Sequence, residues 1–294
     1  MSSLLHPFDL TEEHVNQMRT EGALVLRQLF TPTALSALDE AASNLTVPPD
    51  QARRRRFRRL AYGDGAPAEI VRTLCQTSSF SSLLGRLIGK EQVVTNLVSF
   101  ELAPGMNGEP WHFGRRSFCF IGPEVPAYTL WIPLTNIKER EEGGGLAWVP
   151  ENVFSAYSRV QQWSLLFRML GEGEPDLALA RAHAKQFGTD GDPWVGPFDL
   201  LVLEARKLEQ DFAPGDALLF SRNVWHRTSP LLSPTLANRK AVVMRFVDGR
   251  AKLDKKIIAG FSRTLRPKVD NFLSFLLDSD DALPIGDQEF SLPF

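Results

Sequence analysis

From Val93 onward the chain is written in short β-branched and aromatic runs, each closed by proline or glycine. The runs are Val93–Leu102, Ser117–Ile121, Tyr128–Leu134, Leu146–Val149, Ala217–Phe220 and Lys240–Val247. The breaks include Pro104-Gly105, Gly122-Pro123, Gly143-Gly144-Gly145 and Pro214-Gly215. Strands this short and this regularly punctuated predict an antiparallel sandwich or barrel, not alternating βα units.

The residues before Val93 have a different period. Thr11 precedes Glu12, Glu13 and His14 as an N-cap, Val15 and Met18 give the buried face, and Gly22 stops the helix. Ala23–Leu26 reads as a short strand, Thr31-Pro32-Thr33 opens a second helix, and Ile70–Leu87 reads as a further helical region closed by Gly89. Between Val153 and Asp211 the barrel pattern is interrupted by amphipathic stretches at Trp163–Leu170 and Leu177–Phe187, then by the Gly/Asp/Pro-rich Gly188–Pro197. The expectation is one domain, mainly β with flanking helices. It has a helical region over about 1–90, a barrel over about 91–265 with an insertion over about 153–211, and a tail over about 266–294.

Composition limits the chemistry. Cys75 and Cys119 are the two cysteines, far apart and outside any CxxC, so a disulfide framework, a zinc ribbon and a cysteine-held cluster are excluded. Any transition metal must be bound by nitrogen and oxygen, with His6, His14, His112, His183 and His226 as the five histidines. The formal charge of −2 argues against general nucleic-acid binding. No apolar stretch reaches the ~18 residues of a membrane span. The acidic start, with Asp9, Glu12 and Glu13, lacks a secretory pattern, so a cytoplasmic protein is expected. The run Arg53–Arg59 places six arginines in seven positions. It is either a solvated face or a docking point for an anionic partner such as a phosphopantetheine carrier, a nucleotide or coenzyme A.

Two histidines follow tryptophan at strand edges, in Trp111-His112-Phe113-Gly114 and Trp225-His226-Arg227-Thr228, and Arg239 opens the next strand thirteen residues after His226. Each piece alone has an ordinary structural explanation: a hydrogen-bonded packing histidine, a surface arginine. Their order along the chain is the informative part.

In that order the chain resembles the phytanoyl-CoA dioxygenase family of Fe(II)/2-oxoglutarate enzymes. The resemblance runs through Leu10–Leu26, Thr31–Leu38, Pro110–Gly114, Thr129–Asn136, Gly143–Pro150 and Ala213–Arg239. It implies a double-stranded β-helix, a jelly-roll or cupin-like barrel, with Fe(II), 2-oxoglutarate and O2 as cofactors. The matching positions would make His112 and His226 metal ligands. Arg239 would grip the distal carboxylate of 2-oxoglutarate, as its planar fork suits. Thr228 would bond the same carboxylate.

The departure is Gly114, which stands where the family has its iron-binding aspartate. His-x-Gly resembles the non-haem iron halogenases, in which chloride occupies the position of the missing carboxylate. Gly114 is then expected to leave room for the halide, with Thr129 and Arg245 beside it. Arg115 and Arg116 add positive charge without a family counterpart. Two alternatives stay open. Glu101, Glu109 or water could complete the metal site of a hydroxylase, desaturase or cyclase. A metal-free binding protein could also use the same barrel. The substrate is expected to be a small or carrier-bound specialised metabolite, with neither nucleic acid nor membrane as partner.

Overall fold

Leu5 is buried and bridged to Phe30, and Thr11 then begins the first helix for a local reason: its hydroxyl accepts from the backbone N–H of His14 at 3.3 Å. That helix, α1 (Glu12–Glu21), stops at Gly22, whose φ of 67° is a left-handed conformation that suits glycine. The next elements are β1 (Ala23–Leu26) and α2 (Pro32–Ser43), the latter capped by Thr31 with proline in its first turn. The structure is a computed structural model describing residues 3–47, 57–62, 68–173, 195–233, 236–264, 276, 279–288 and 292–293.

The single helical region expected over Ile70–Leu87 is two helices, α3 (Glu69–Gln76) and α4 (Ser78–Ile88), broken at extended Thr77. The Thr77 hydroxyl bonds back to the Thr73 carbonyl at 2.9 Å, the local competition that weakens helix continuation at Ser and Thr. The barrel strands are β2 (Arg59–Tyr62), β3 (Gln92–Leu102), β4 (Ala127–Pro133), β5 (Leu146–Val149), β6 (Leu208–Glu209), β7 (Ala217–Ser221), β8 (Trp225–Thr228), β9 (Arg239–Asp248) and β10 (Leu292–Pro293). They form one sheet in the order β1-β7-β4-β9-β3-β10, with β2 beside β3, and a smaller one in the order β6-β5-β8. All of these pairings are antiparallel. This is the expected jelly-roll architecture.

The two-residue period of the strands divides the large sheet into two faces. Leu130, Ile132, Leu219, Val242, Met244 and Phe246 pack outward against the N-terminal helices through Leu38, Leu74, Phe80 and Leu84. Trp131, Leu218, Phe220, Ala241 and Val243 face inward and meet Leu146 and Trp148 of the small sheet. The inward face of β9 therefore reads Arg239, Ala241, Val243, Arg245, which sets two arginines into the barrel interior.

The expected strand Ser117–Ile121 is absent; Arg116–Phe118 is a 3-10 turn. Phe118, Phe120 and Ile121 are all fully buried, so these residues follow burial from every side and not the two-residue period of a half-buried strand. Cys119 is consequently a buried packing thiol beside Trp163 and Phe167 off the barrel ladder. Burial raises the Cys75 thiol to about 12, which makes it inert at neutral pH.

The insertion contributes α5 (Glu139–Glu142) and α6 (Glu151–Phe154) at its approach, then α7 (Tyr157–Glu172) and α8 (Pro197–Arg206). After the barrel, α9 (Lys255–Thr264) packs on α7. The stretch Leu177–Phe187, including His183, most of Gly188–Pro197, and Arg53–Arg56 lie outside the described residues. Of the remaining arginine run, Arg58 is exposed, while Arg59 donates to the Ser43 carbonyl at 3.0 Å from within β2. Among the described residues no helix is long and apolar enough to cross a membrane.

Candidate metal centre

The two tryptophan–histidine segments that lie 114 positions apart in sequence are paired directly through their backbones. The His112 N–H donates to the His226 carbonyl at 2.9 Å, and the His226 N–H returns a bond to the His112 carbonyl at 2.9 Å. Side chains directly opposite on an antiparallel pair share a face, and the two imidazole rings lie 4.1 Å apart. Trp111, Phe113 and Trp225 point the other way into a cluster with Ala147, Val149 and Leu203. Burial of those aromatic neighbours outside holds both histidines inside.

Each ring is oriented by the same contact. His112 Nδ1 donates to the Pro110 carbonyl at 2.7 Å, and His226 Nδ1 to the Val224 carbonyl at 2.9 Å. A carbonyl only accepts, so Nδ1 carries the proton in both rings and Nε2 keeps its lone pair. That is the form in which an imidazole binds a metal. Burial, the neighbouring His112 and the field of Arg245 hold His226 well below the usual imidazole range. The sign follows. Below the ordinary value of 6.5 the unfolded chain takes up a proton at residue 226 that the folded chain refuses, so stability should fall as the pH drops through that region. Melting curves between pH 7.5 and 5 check this, and His226→Asn should flatten the dependence; an equally steep loss in that variant would assign it elsewhere.

Among the described residues, no third His, Cys, Asp or Glu joins the pair in a metal-holding group. Glu101 is one residue out of phase with the inward Leu102, pairs across the strands with Lys240, and hydrogen-bonds Asn238. Glu109 receives the Thr228 N–H through its backbone carbonyl at 2.8 Å. Gly114 donates its N–H to the Arg222 carbonyl at 2.9 Å. The expectation that Gly114 opens a space needs correcting in its physical reason. A Cβ at Gly114 would lie 2.8 Å from Arg222 Cβ, 2.9 Å from Arg222 Cα and 2.9 Å from the Phe118 ring. Glycine here lets a neighbouring strand end approach closely; no carboxylate stands beside the histidine pair at this position, but the side-chain direction itself is filled.

The residues expected around the pair fall in sequence along the barrel interior. Thr129 lies directly opposite Arg245 on one side and Phe220 on the other, and the Phe220 ring meets His226 at 4.6 Å. Thr228 is two residues on from His226 and shares its face, opposite Leu146. Beyond it, the stem of Arg239 passes Gly144, whose neighbour Gly145 accepts the Ser229 N–H at 3.0 Å. Arg239 and Arg245 are six residues apart on one extended strand, a separation of ~20 Å. One therefore belongs to the His226 end of the interior and the other to the far side of Thr228.

Arg239 is 1% exposed, and neither Nε nor Nη2 has a hydrogen-bond partner. Its guanidinium stands 5.9 Å over the Trp131 ring. Burial lowers its pKa to about 10, against the opposing field of Glu139. Glu139 is itself engaged, accepting from the Gly145 N–H at 2.7 Å and from Ser229. A buried guanidinium without an anion carries a desolvation penalty of several kcal/mol. The residues present would suit 2-oxoglutarate: a buried guanidinium with Nε and Nη2 unpartnered among the described residues, a hydroxyl at Thr228, and two imidazoles protonated at Nδ1.

Trp131, Phe220 and Glu139 were not singled out by sequence. Trp131 stands two residues after Thr129, so strand period alone places it on the same inward face.

No family model matches the chain, and no curated protein matches it. Solved structures do. The non-heme alpha ketoglutarate dependent carbocyclase SnoK from nogalamycin biosynthesis aligns over 83% of this chain and 87% of its own, with TM-score 0.54 and 13% identity. The alpha ketoglutarate dependent epimerase SnoN aligns over 93% and 94%, with TM-score 0.56 and 12% identity. EctD from S. alaskensis aligns over 84% and 80%, with TM-score 0.55 and 15% identity. SnoN is known in complex with Fe3+ and alpha ketoglutarate, and EctD with 2-oxoglutarate. At these identities the likeness establishes the shared barrel fold.

Proposed function

We propose that this chain is an Fe(II)- and 2-oxoglutarate-dependent oxidative enzyme acting on an aliphatic C–H of a specialised metabolite. The observation that carries the proposal is Arg239, a buried guanidinium whose Nε and Nη2 have no hydrogen-bond partner among the described residues, on the same interior as two histidines protonated at Nδ1. The structural neighbours support it, since the carbocyclase SnoK and the epimerase SnoN are both non-heme and alpha ketoglutarate dependent. Bound iron with 2-oxoglutarate and O2 would supply C–H oxidation coupled to decarboxylation of the co-substrate to succinate and CO2. The protein's part is positional. His112 and His226 hold the metal, Arg239 and Thr228 fix the distal carboxylate of the co-substrate, and the apolar interior around Trp131 and Phe220 excludes water.

Within this class we favour halogenation, with chloride as the ligand replacing the absent carboxylate. The supporting observation is the cationic Arg245, opposite Thr129 and close enough for its field to act on His226. Ring formation, desaturation or hydroxylation at the same centre is the alternative, and the carbocyclase SnoK favours the first of these. The substrate is free or carrier-bound, and the run Arg53–Arg59 is the proposed contact for an anionic group on it.

Anaerobic titration with Fe(II) and 2-oxoglutarate tests both levels. A weak visible charge-transfer band should form in the parent chain and vanish in His112→Ala. Absence of the band in the parent chain overturns the enzyme reading. A band that shifts when chloride is added supports halide binding, and a band indifferent to chloride assigns the alternative.

A further inference from the structure

The outer face of the histidine pair is gripped by one carboxylate from the insertion. Trp111 precedes His112 and Arg227 follows His226 on either side of the antiparallel bridge that pairs the two histidines. The Arg227 guanidinium lies 5.5 Å over the Trp111 ring. Glu204 of α8 reaches both: its Oε1 accepts from Trp111 Nε1 at 2.7 Å and pairs with Arg227 Nε at 3.3 Å. Its other oxygen, Oε2, meets Lys207 Nζ at 3.0 Å, and Lys207 and Arg227 both pair with Glu209, at 3.1 and 2.8 Å. The helix carrying Glu204 is itself anchored by the neighbouring Leu203, fully buried against Trp111, Phe113 and Trp225.

We infer that Glu204 is a positioning residue: acting through Trp111 and Arg227, it clamps from outside the two segments whose inner faces carry His112 and His226. It touches neither ring. One oxygen atom bridges the residue before the first histidine and the residue after the second, so it fixes the separation of the two backbones at the rung where the rings meet. The insertion thereby becomes part of the metal centre's scaffold. This inference rests on the proposed reading of the histidines as a metal pair, and the bridging of the two segments does not.

Glu204→Ala removes the bridge. Glu204→Gln keeps an acceptor for the Trp111 indole while removing the charge that faces Arg227, and serves as the conservative variant. Two readouts separate the claims. In metal-free protein, amide exchange at His112 and His226 reports their mutual hydrogen bonds. It should accelerate about tenfold in Glu204→Ala, and Glu204→Gln should restore most of the protection. With Co(II) as probe, the visible spectrum should change and affinity should fall about 10–100-fold in Glu204→Ala, the usual cost of losing a residue that orients metal ligands. Parent-like exchange and parent-like Co(II) affinity in a folded Glu204→Ala protein would overturn the inference. If the parent chain binds Co(II) no better than a His112→Ala/His226→Ala double variant, the metal reading fails by itself, and the exchange data alone decide whether Glu204 clamps the pair. Glu204→Gln keeps the measurement decisive if Glu204→Ala does not fold.

Discussion

Arg239→Met is expected to melt at a higher temperature than the parent chain and at the same time to lose 2-oxoglutarate. Methionine fills a similar length of the barrel interior without bringing a charge. Replacing a buried ion lacking a satisfactory partner by an apolar residue of similar volume stabilises by ~1–4 kcal/mol. For a domain of this size each kcal/mol moves the midpoint by about 2 °C. Binding moves in the opposite direction. A desolvated guanidinium facing a carboxylate contributes on the order of 2–5 kcal/mol to affinity, so 2-oxoglutarate should bind at least ~30-fold more weakly. Calorimetry in the presence of the metal and a thermal melt without it measure the two effects separately. A variant that melts well below the parent would show that Arg239 is satisfied within the fold, and the main support for the co-substrate site would be lost. Arg239→Lys retains the charge without the planar fork, and should fall between the two in affinity.

The second large effect is at Gly114. Because a Cβ there meets the backbone of Arg222 and the ring of Phe118, Gly114→Ala should cost about 1–3 kcal/mol through overpacking, with little change in Co(II) affinity. Gly114→Asp adds a carboxylate to the same crowded place, so the metal-free variant should be the less stable of the two. If the metal is added and the carboxylate reaches it, the chloride sensitivity of the charge-transfer band should disappear and any halogenation with it. An alanine variant as stable as the parent would refute the close approach of Arg222 as the reason for glycine. An aspartate variant that still halogenates would refute chloride in place of the carboxylate. The two variants thus separate packing from chemistry at one position.

Arg222 shows why the sequence alone did not disclose this. Its backbone reaches Gly114 only because β7 ends where the Pro110–Gly114 segment passes, and nothing local to His-x-Gly records that. Glu204 is a similar case, with its Trp111 contact spanning 93 positions. Features governed by short-range chemistry were legible: the Thr11 and Thr31 caps, the Gly22 stop, and the alternation that sets Thr129, Arg239 and Arg245 on inward faces. The Ser117–Ile121 run misled because a fully buried segment carries no period to distinguish strand from turn. The likeness of motif order anticipated the barrel well. It could not anticipate that Arg239 would stand without a partner, since that depends on Glu139 being engaged by Gly145 and Ser229.

The reciprocal backbone bonds between His112 and His226 have a consequence for how such a centre is made and maintained. Main-chain hydrogen bonds and the burial of Trp111, Phe113 and Trp225 locate the two imidazoles, and none of these requires an ion. On the proposed reading, the chain would be assembled before any metal is added, and removing that metal would not dismantle it. A chelated sample should behave as an empty socket that can be refilled, with the identity of the incoming ion decided by supply and affinity and not by the act of folding.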